Sequence, residues 1–202
     1  LETRYEDTYG GTRLAASWSG GYAFRHDVLD STALAGSGGT QYADDDIVRI
    51  RHSLFARGEL QLFPYEESEA TRLGIFPALR WDGWSAEAVS EVEASEGSRP
   101  SWTLGVVSAL DPQRRIVLKS SVGSSYRVPS FDDLFWPGSA FAVGNPNLEP
   151  EEALSVDGGV ILSPIPALRI EASVFYRGVR NLIHWTPGPS GQWRPVNIGR
   201  TR

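Results

Sequence analysis

Between Leu168 and Arg177 apolar and polar side chains alternate residue by residue, with Leu168, Ile170, Ala172, Val174 and Tyr176 set against Arg169, Glu171, Ser173 and Arg177. Successive side chains of an extended chain point to opposite faces, so this run predicts a strand with one apolar and one charged face. The pattern returns along the chain. Leu14, Ala16, Trp18, Gly20, Tyr22 and Phe24 oppose Arg13, Ser17, Ser19 and Arg25, and Leu54, Ala56, Gly58, Leu60 and Leu62 oppose Phe55, Arg57, Glu59, Gln61 and Phe63. Leu73, Ile75, Pro77, Leu79 and Trp81 oppose Arg72, Phe76, Arg80 and Asp82, while Ile116, Leu118, Val122 and Tyr126 oppose Arg115, Lys119, Ser121, Ser125 and Arg127. About nine strands are predicted, near 1–9, 12–25, 49–63, 71–82, 101–110, 114–126, 152–163, 167–178 and 196–202.

Segments of about 10 residues suit a tilted strand crossing a bilayer, and aromatics such as Trp18, Tyr22, Phe24, Trp81 and Tyr126 gather toward one end of the strands, as in an interfacial girdle. A soluble β-sandwich follows from the same alternation. The connections separate the two. Short turn signals at Gly10-Gly11, Asp111-Pro112-Gln113 and Ser163-Pro164-Ile165-Pro166 alternate with longer polar stretches at Asp27 to Val48, Ser85 to Pro100, Arg127 to Glu151 and Asn181 to Pro195. Short turns at one rim and long loops at the other belong to outer-membrane barrels; a sandwich has no reason to sort its loops in this way. The expectation is an all-β antiparallel meander of transmembrane barrel strands.

Composition narrows the partners. The 202 residues are 41% hydrophobic with a net charge of −6, and the mean hydropathy is −0.26 with a pI near 5.1. No run of about 18 apolar residues is available to form a spanning helix, so membrane residence can come only through strands. An acidic chain whose basic residues (18 Arg, one Lys) are dispersed argues against nucleic acid as a partner. Cysteine is absent, which removes thiol nucleophiles, disulfides and cysteine-bound metals. The chain opens and closes within strands and shows no signal peptide, and the expectation is that all of 1–202 is part of a larger protein.

One segment is distinctive in order as well as composition. Ser120-Ser121-Val122-Gly123-Ser124-Ser125-Tyr126-Arg127-Val128-Pro129-Ser130-Phe131-Asp132-Asp133-Leu134-Phe135 leads to Gly144-Asn145-Pro146-Asn147-Leu148-Glu149-Pro150-Glu151, then Phe175-Tyr176-Arg177, Asn181-Leu182-Ile183 and Val196-Asn197-Ile198-Gly199-Arg200. Pro146 and Pro150 fix φ and bias the preceding residues to extended backbone, while Asn145 and Asn147 bond locally in turns, so the Gly144–Glu151 run reads as a stiff structural re-entry into a strand near Glu152. In this order the pieces resemble the carboxy-terminal barrel of TonB-dependent outer-membrane receptors. The resemblance implies part of a barrel of about 22 strands in the bacterial outer membrane, importing a large scarce nutrient such as a ferric siderophore or cobalamin, with no resident cofactor. It further implies outer-membrane lipid as one partner and TonB, acting through a plug absent from this sequence, as another.

The expected ligand contacts are aromatics on long loops: Phe131, Phe135, Trp136 and Phe141 in one, Trp185 and Trp193 in another. Loop-against-loop packing or a place in the outer girdle is the structural alternative for each. Arg57, Glu59, Arg80, Arg115, Lys119, Arg169 and Glu171 are expected to line the lumen, pairing across strands and meeting the plug. His26, His52 and His184 lack the close spacing of a metal site, and Asp44-Asp45-Asp46 offers oxygens for calcium without the spaced Gly and Glu of a dedicated loop. No nucleophile elbow or phosphate-cradling loop frames the Ser, His and Asp residues, so no enzyme is expected. Two other readings stand beside the importer: a soluble β-domain binding glycan or protein through its aromatic loops, and a small-barrel enzyme using His184.

Overall fold

The computed structural model describes residues 2–10, 14–29, 47–64, 71–88, 94–136 and 141–201. Nine strands form one antiparallel sheet whose spatial order is the chain order: β1 (Glu2–Gly10), β2 (Leu14–Leu29), β3 (Ile47–Pro64), β4 (Thr71–Ala88), β5 (Ala94–Ala109), β6 (Ile116–Arg127), β7 (Glu151–Ile165), β8 (Leu168–Pro187) and β9 (Trp193–Thr201). A short helix, α1 (Phe131–Phe135), lies between β6 and β7.

Register carries the alternation across the whole sheet. Tyr22 faces Leu54 and Leu54 faces Trp81; Leu79 faces Trp102; Val122 faces Val156 and Val156 faces Tyr176. Because side chains repeat every two residues, these rungs place all the apolar sets on one side of the sheet and the charged sets on the other. The apolar side stays open: Leu54, Leu79, Trp102, Leu154 and Val174 all remain exposed. No second sheet covers them among the described residues.

The strands run past the expected boundaries at the long-loop rim. The stretch Ser85 to Pro100 is not a long loop: β4 continues to Ala88 and β5 starts at Ala94, with Ser85 opposite Glu96 and Trp84 opposite Gly97. Likewise Asn181 to Pro195 is largely strand, since β8 continues to Pro187 and β9 begins at Trp193. Residues with polar side chains above an apolar band still pair through their backbone N–H and C=O groups, so polarity there marks the end of the apolar band and not the end of the strand. The two remaining long connections, 30–46 and 128–150, join β2 to β3 and β6 to β7, while β7 turns into β8 through 166–167 alone. Asp44, Asp45 and Asp46 lie outside the described residues.

Asn181 interrupts β8 with a positive φ of 54°, a conformation that asparagine tolerates better than most residues. The β7–β8 ladder reaches its upper end at Glu152 opposite Arg180, one residue earlier. Beyond that point β8 belongs to the region where the β6–β7 loop docks, and the small core sits there: Ala86, Leu134, Leu148 and Ile183, with Phe131 and Phe135 packed against them.

Candidate functional site

The site is built by the β6–β7 loop folding onto the charged face of the sheet. Ser130 caps α1, its hydroxyl accepting from the Asp133 N–H at 3.1 Å while the Asp133 carboxylate accepts from the Ser130 N–H at 3.0 Å. This reciprocal pair satisfies donors that a helix start otherwise leaves open. It also aims Leu134 into the core, where it is 2% exposed. Gly144 lies against the helix end, its N–H donating to the Trp136 carbonyl at 2.9 Å. A Cβ on Gly144 would come within 2.6 Å of both the Leu134 carbonyl oxygen and the Trp136 nitrogen, so the close approach demands glycine.

Asp133 ties the loop to two strands. It accepts from the Trp185 indole on β8 at 3.1 Å, and Arg127 at the end of β6 reaches it at 3.5 Å. Burial pushes the Asp133 carboxyl up, but the hydrogen bonds from Ser130 and Trp185 and the Arg127 charge outweigh it and hold the group below the usual carboxylate range. Arg127 also grips Glu151 with two nitrogens, at 2.9 and 2.7 Å, and Glu151 accepts from the Ile183 N–H at 2.9 Å. Asn197 closes the far side: it accepts from the Glu149 N–H at 2.9 Å and donates to the Glu149 and Asn181 carbonyls, each at 2.8 Å. The loop is thus seated by charge-assisted bonds at one end and an asparagine clamp at the other.

Beneath the loop the wall is rich in arginine. Arg49 donates to the Pro129 carbonyl at 2.6 Å and lies 4.5 Å from the Phe131 ring centroid, a cation–π arrangement. Arg80 pairs with Asp82 at 2.8 Å, and the Ser53 hydroxyl donates to Asp82 at 2.5 Å. Past Trp102 opposite Ser124 the β5–β6 ladder stops. Tyr126 lies just beyond that rung and stacks on Trp84, centroids 5.8 Å apart at 21°.

The expected site residues divide by position. Phe131 and Phe135 are part-buried in the α1 core. Trp136 caps α1 and meets Trp185 edge-on at 6.4 Å. Trp185 and Trp193 belong to β8 and β9 and not to a loop. Phe141, 80% exposed, is joined through its carbonyl to the Trp193 N–H at 2.7 Å. The six aromatics therefore collect around one docked loop.

Of the charged set, Arg57, Glu59, Arg80, Lys119, Arg169 and Glu171 fall on the charged face. Arg57 donates to Ser19 at 2.9 Å and Glu59 accepts from Gln61 at 2.7 Å. Lys119 on β6 reaches Glu171 on β8 across Gly159 of β7, whose missing side chain leaves the path open. Arg115, expected within a strand, instead precedes β6 in the turn at the opposite rim. There its hydrogen bond to Asp111, 2.7 Å long, holds the Asp111 carboxyl below its ordinary range.

The three histidines are on strands and not loops: His26 on β2, His52 on β3 and His184 on β8. His52 sits beside Tyr22, with Tyr22 Oη and His52 Nδ1 2.6 Å apart. No group of three metal-ligating side chains occurs among the described residues. Sequence reasoning passed over Arg49, Arg51, Asp133 and Glu151. The available signal was Arg49 and Arg51 at a spacing of two, both on the polar face of one strand with no acid between them.

An exposed apolar face, a charged face and long loops gathered at one rim describe a barrel wall, and the TonB dependent receptor-like β-barrel family model matches residues 1–202. The chain belongs to the TonB-dependent receptor β-barrel family. Among curated proteins, this receptor chain is 34% identical over 114 residues to a vitamin B12 transporter BtuB of Vibrio vulnificus, covering 56% of the chain and 18% of the relative. It is 26% identical over 186 residues to the BtuB of Photobacterium profundum, covering 89% of the chain and 25% of that relative. The chain thus spans a quarter or less of the length of these relatives. Among solved structures it resembles the Serratia marcescens hemophore receptor HasR (TM-score 0.75, 18% identity, 99% of this chain and 37% of that one). It also resembles the Pseudomonas aeruginosa ferric enterobactin receptor PfeA (TM-score 0.67, 17% identity, 98% and 31%). At these identities the two receptors attest the fold. The place of this receptor chain is the bacterial outer membrane, and its relatives are transporters and receptors, not enzymes.

Proposed function

We propose that this chain is a nine-strand arc in the wall of an importer, its apolar face against outer-membrane lipid and its charged face toward an aqueous lumen. The complete barrel, about 22 strands round, carries a large scarce nutrient inward with energy delivered by TonB through a plug held on other residues. The observation that carries this reading is the single-layered sheet, with Leu54, Leu79 and Val174 exposed on one face and Lys119–Glu171, Arg80–Asp82 and Arg127–Glu151 on the other. A sandwich would bury the first face under a second sheet. A membrane barrel leaves it to the lipid and keeps the wet face inside.

On this reading Arg57, Glu59, Arg80, Lys119, Arg169 and Glu171 border the lumen, and Arg115 marks its periplasmic rim. The docked loop faces the cell exterior. Trp136, Phe141 and Trp193, which keep exposed ring surface, offer contact to the incoming ligand, while Phe131, Phe135 and Trp185 hold the loop in place. The B12 transporters among its relatives favour a corrinoid cargo, with a ferric siderophore as the alternative.

Two measurements on the full-length protein test the reading. Single-tryptophan variants in brominated lipid should show quenching of Trp81 and Trp102 and little of Trp84; the reverse order would remove the barrel orientation. Uptake of cyanocobalamin or a ferric siderophore by cells should require both this protein and TonB, and uptake unaffected by deleting either would remove the transport assignment.

A further inference from the structure

The β5–β6 ladder stops at Trp102 opposite Ser124, while β4–β5 pairing runs on to Glu87–Ala94 and β6–β7 pairing to Arg127–Glu151. The cause is in the sequence. The Trp102 N–H points toward β6, where it donates to the Ser124 hydroxyl at 3.3 Å. Along a strand the N–H groups facing one neighbour recur every second residue. Two residues back stands Pro100, which has no N–H to give. Above this point β5 parts from β6 and leaves a cavity of about 430 Å³, bounded by Arg99 and Pro100 on β5 and by Tyr126, Glu152, Tyr176 and Arg180 on β6–β8.

On β7 and β8 the cavity opens to the apolar side, since Leu154, Tyr176, Gly178 and Arg180 share the face of Val156 and Val174 by register. Going up β8, that face reads Leu168, Ile170, Ala172, Val174, Tyr176, Gly178, Arg180: apolar, then aromatic, then cationic. The twelve residue steps from Leu168 to Arg180, at about 3.3 Å each and a tilt of about 40°, rise about 30 Å, just past an apolar band about 25 Å tall. That is the level of lipid headgroups. Arg180 makes no ion pair among the described residues, because Glu152, its rung partner on β7, is held by Arg99 at 3.0 Å. On β9 its rung partner is Arg200. Two arginines thus occupy one rung with no acid between them; like charges so placed are destabilising, and a shared anion relieves them. Tyr176 adds a donor. Its hydroxyl lies 3.1 Å from where a Gly178 Cβ would stand, so the ring runs up over Gly178 toward the level of Arg180.

We infer that this cleft is a lipid site: Arg180, Arg99 and the Tyr176 hydroxyl receive the phosphate of an outer-leaflet membrane lipid, whose acyl chains lie along Leu154, Val156 and Val174. The site is entered from the bilayer and takes no part in receiving the imported cargo. It rests on the outward orientation of the apolar face proposed above. Charge and place both select the occupant. Arg99 and Arg180 outnumber the one carboxylate, Glu152, and arginine donors suit a phosphate. Directly below, Leu154, Val156 and Val174 are exposed and call for hydrocarbon. A phosphate-bearing lipid supplies both at once, a free phosphate only the first. Bound there, the lipid also covers the stretch of wall that the β5–β6 ladder leaves unpaired.

The test is native mass spectrometry of the full-length protein titrated with dioleoyl phosphatidic acid, with dioleoylglycerol (the same chains without phosphate) and inorganic phosphate as comparison probes. One phosphatidic acid should stay bound at concentrations where neither of the others does. Arg180→Gln should weaken it about 5-fold, the loss expected for one arginine at a membrane surface. Arg180→Lys should restore most of that, and Tyr176→Phe should weaken binding less than Arg180→Gln. Glu152→Gln should tighten it, since it frees Arg99 and removes the cleft's one carboxylate. Arg177→Gln, on the opposite face of β8, should leave it unchanged. Equal retention of phosphatidic acid and dioleoylglycerol, inorganic phosphate bound as well as the lipid, normal binding by Arg180→Gln, or weaker binding by Glu152→Gln would overturn the site and leave the orientation standing. Stronger quenching of Trp84 than of Trp81 and Trp102 in brominated lipid would remove the orientation and the site with it. Should Arg180→Gln fail to fold, the three wild-type titrations and Glu152→Gln decide.

Discussion

The two halves of β8 sit in different physical worlds. From Leu168 to Arg177 every residue is exposed, on both faces. From Gly178 to Pro187 most are half-buried and Ile183 reaches the core. One strand thus passes from a bare wall paired with β7 into a packed assembly paired with β9, the change of partner falling at Val179–Asn181. The difference is the docked β6–β7 loop. A single sheet has no second layer of its own to bury a face against, so its lower part depends on lipid and on whatever fills the lumen. The upper part carries its own layer, made of α1, Leu148 and the asparagine clamp.

On that contrast, substitutions at the loop seat should be severe and those on the bare wall mild. The largest effect is expected from Leu134→Ala, which removes the one fully buried leucine of α1 and should cost about 2–5 kcal/mol of loop docking. Rapid protease cleavage within 128–150 of the full-length protein, with the barrel itself intact, is the readout. Gly144→Ala comes next, about 1–3 kcal/mol, because the new methyl meets backbone atoms that cannot step aside.

Asp133→Asn should cost about 1–2 kcal/mol by weakening bonds made to a charged acceptor, and it carries a pH signature. The folded Asp133 carboxyl lies below its ordinary range, so its contribution is complete above the unfolded value and drains away as pH falls through the folded one. Trp185 emission should therefore report loop release on acidification in the wild type, with a weaker response in Asp133→Asn. The smallest effect belongs to Glu171→Gln on the bare wall. Its pair with Lys119 is solvent-exposed, such pairs contribute little, and heat stability should not change measurably. A large loss there would erase the contrast.

The two faces of the sheet were legible in the sequence because a period of two survives any uncertainty about where strands end. Leu54, Leu79 and Val174 fall on the side the alternation assigns them. Strand length was not legible at the upper rim. Polar residues such as Ser85, Glu87 and Glu96 read as loop, although they pair within ladders that water is free to surround. That misplaced Trp185 and Trp193 as loop residues. Helix α1 was hidden because it has five residues, too few for any apolar period, and its capping box uses Asp133 in place of the usual Glu or Gln. The seat of the loop was hidden for another reason: Arg49, Arg127 and Trp185 come from three strands, and only the fold brings them to one loop.

The loop also occupies part of the sheet's outer edge. The Trp193 N–H donates to the Phe141 carbonyl, the Trp193 carbonyl accepts from the Val143 N–H, and the Pro195 carbonyl accepts from the Asn145 side-chain amide at 3.0 Å. A tenth strand laid beside β9 finds those groups taken and can begin pairing only near Asn197, about 13 Å below Trp193 at the rise of an antiparallel strand. The β6–β7 loop thus serves as the neighbour of β9 over its first rungs, and the free edge of the sheet starts below it.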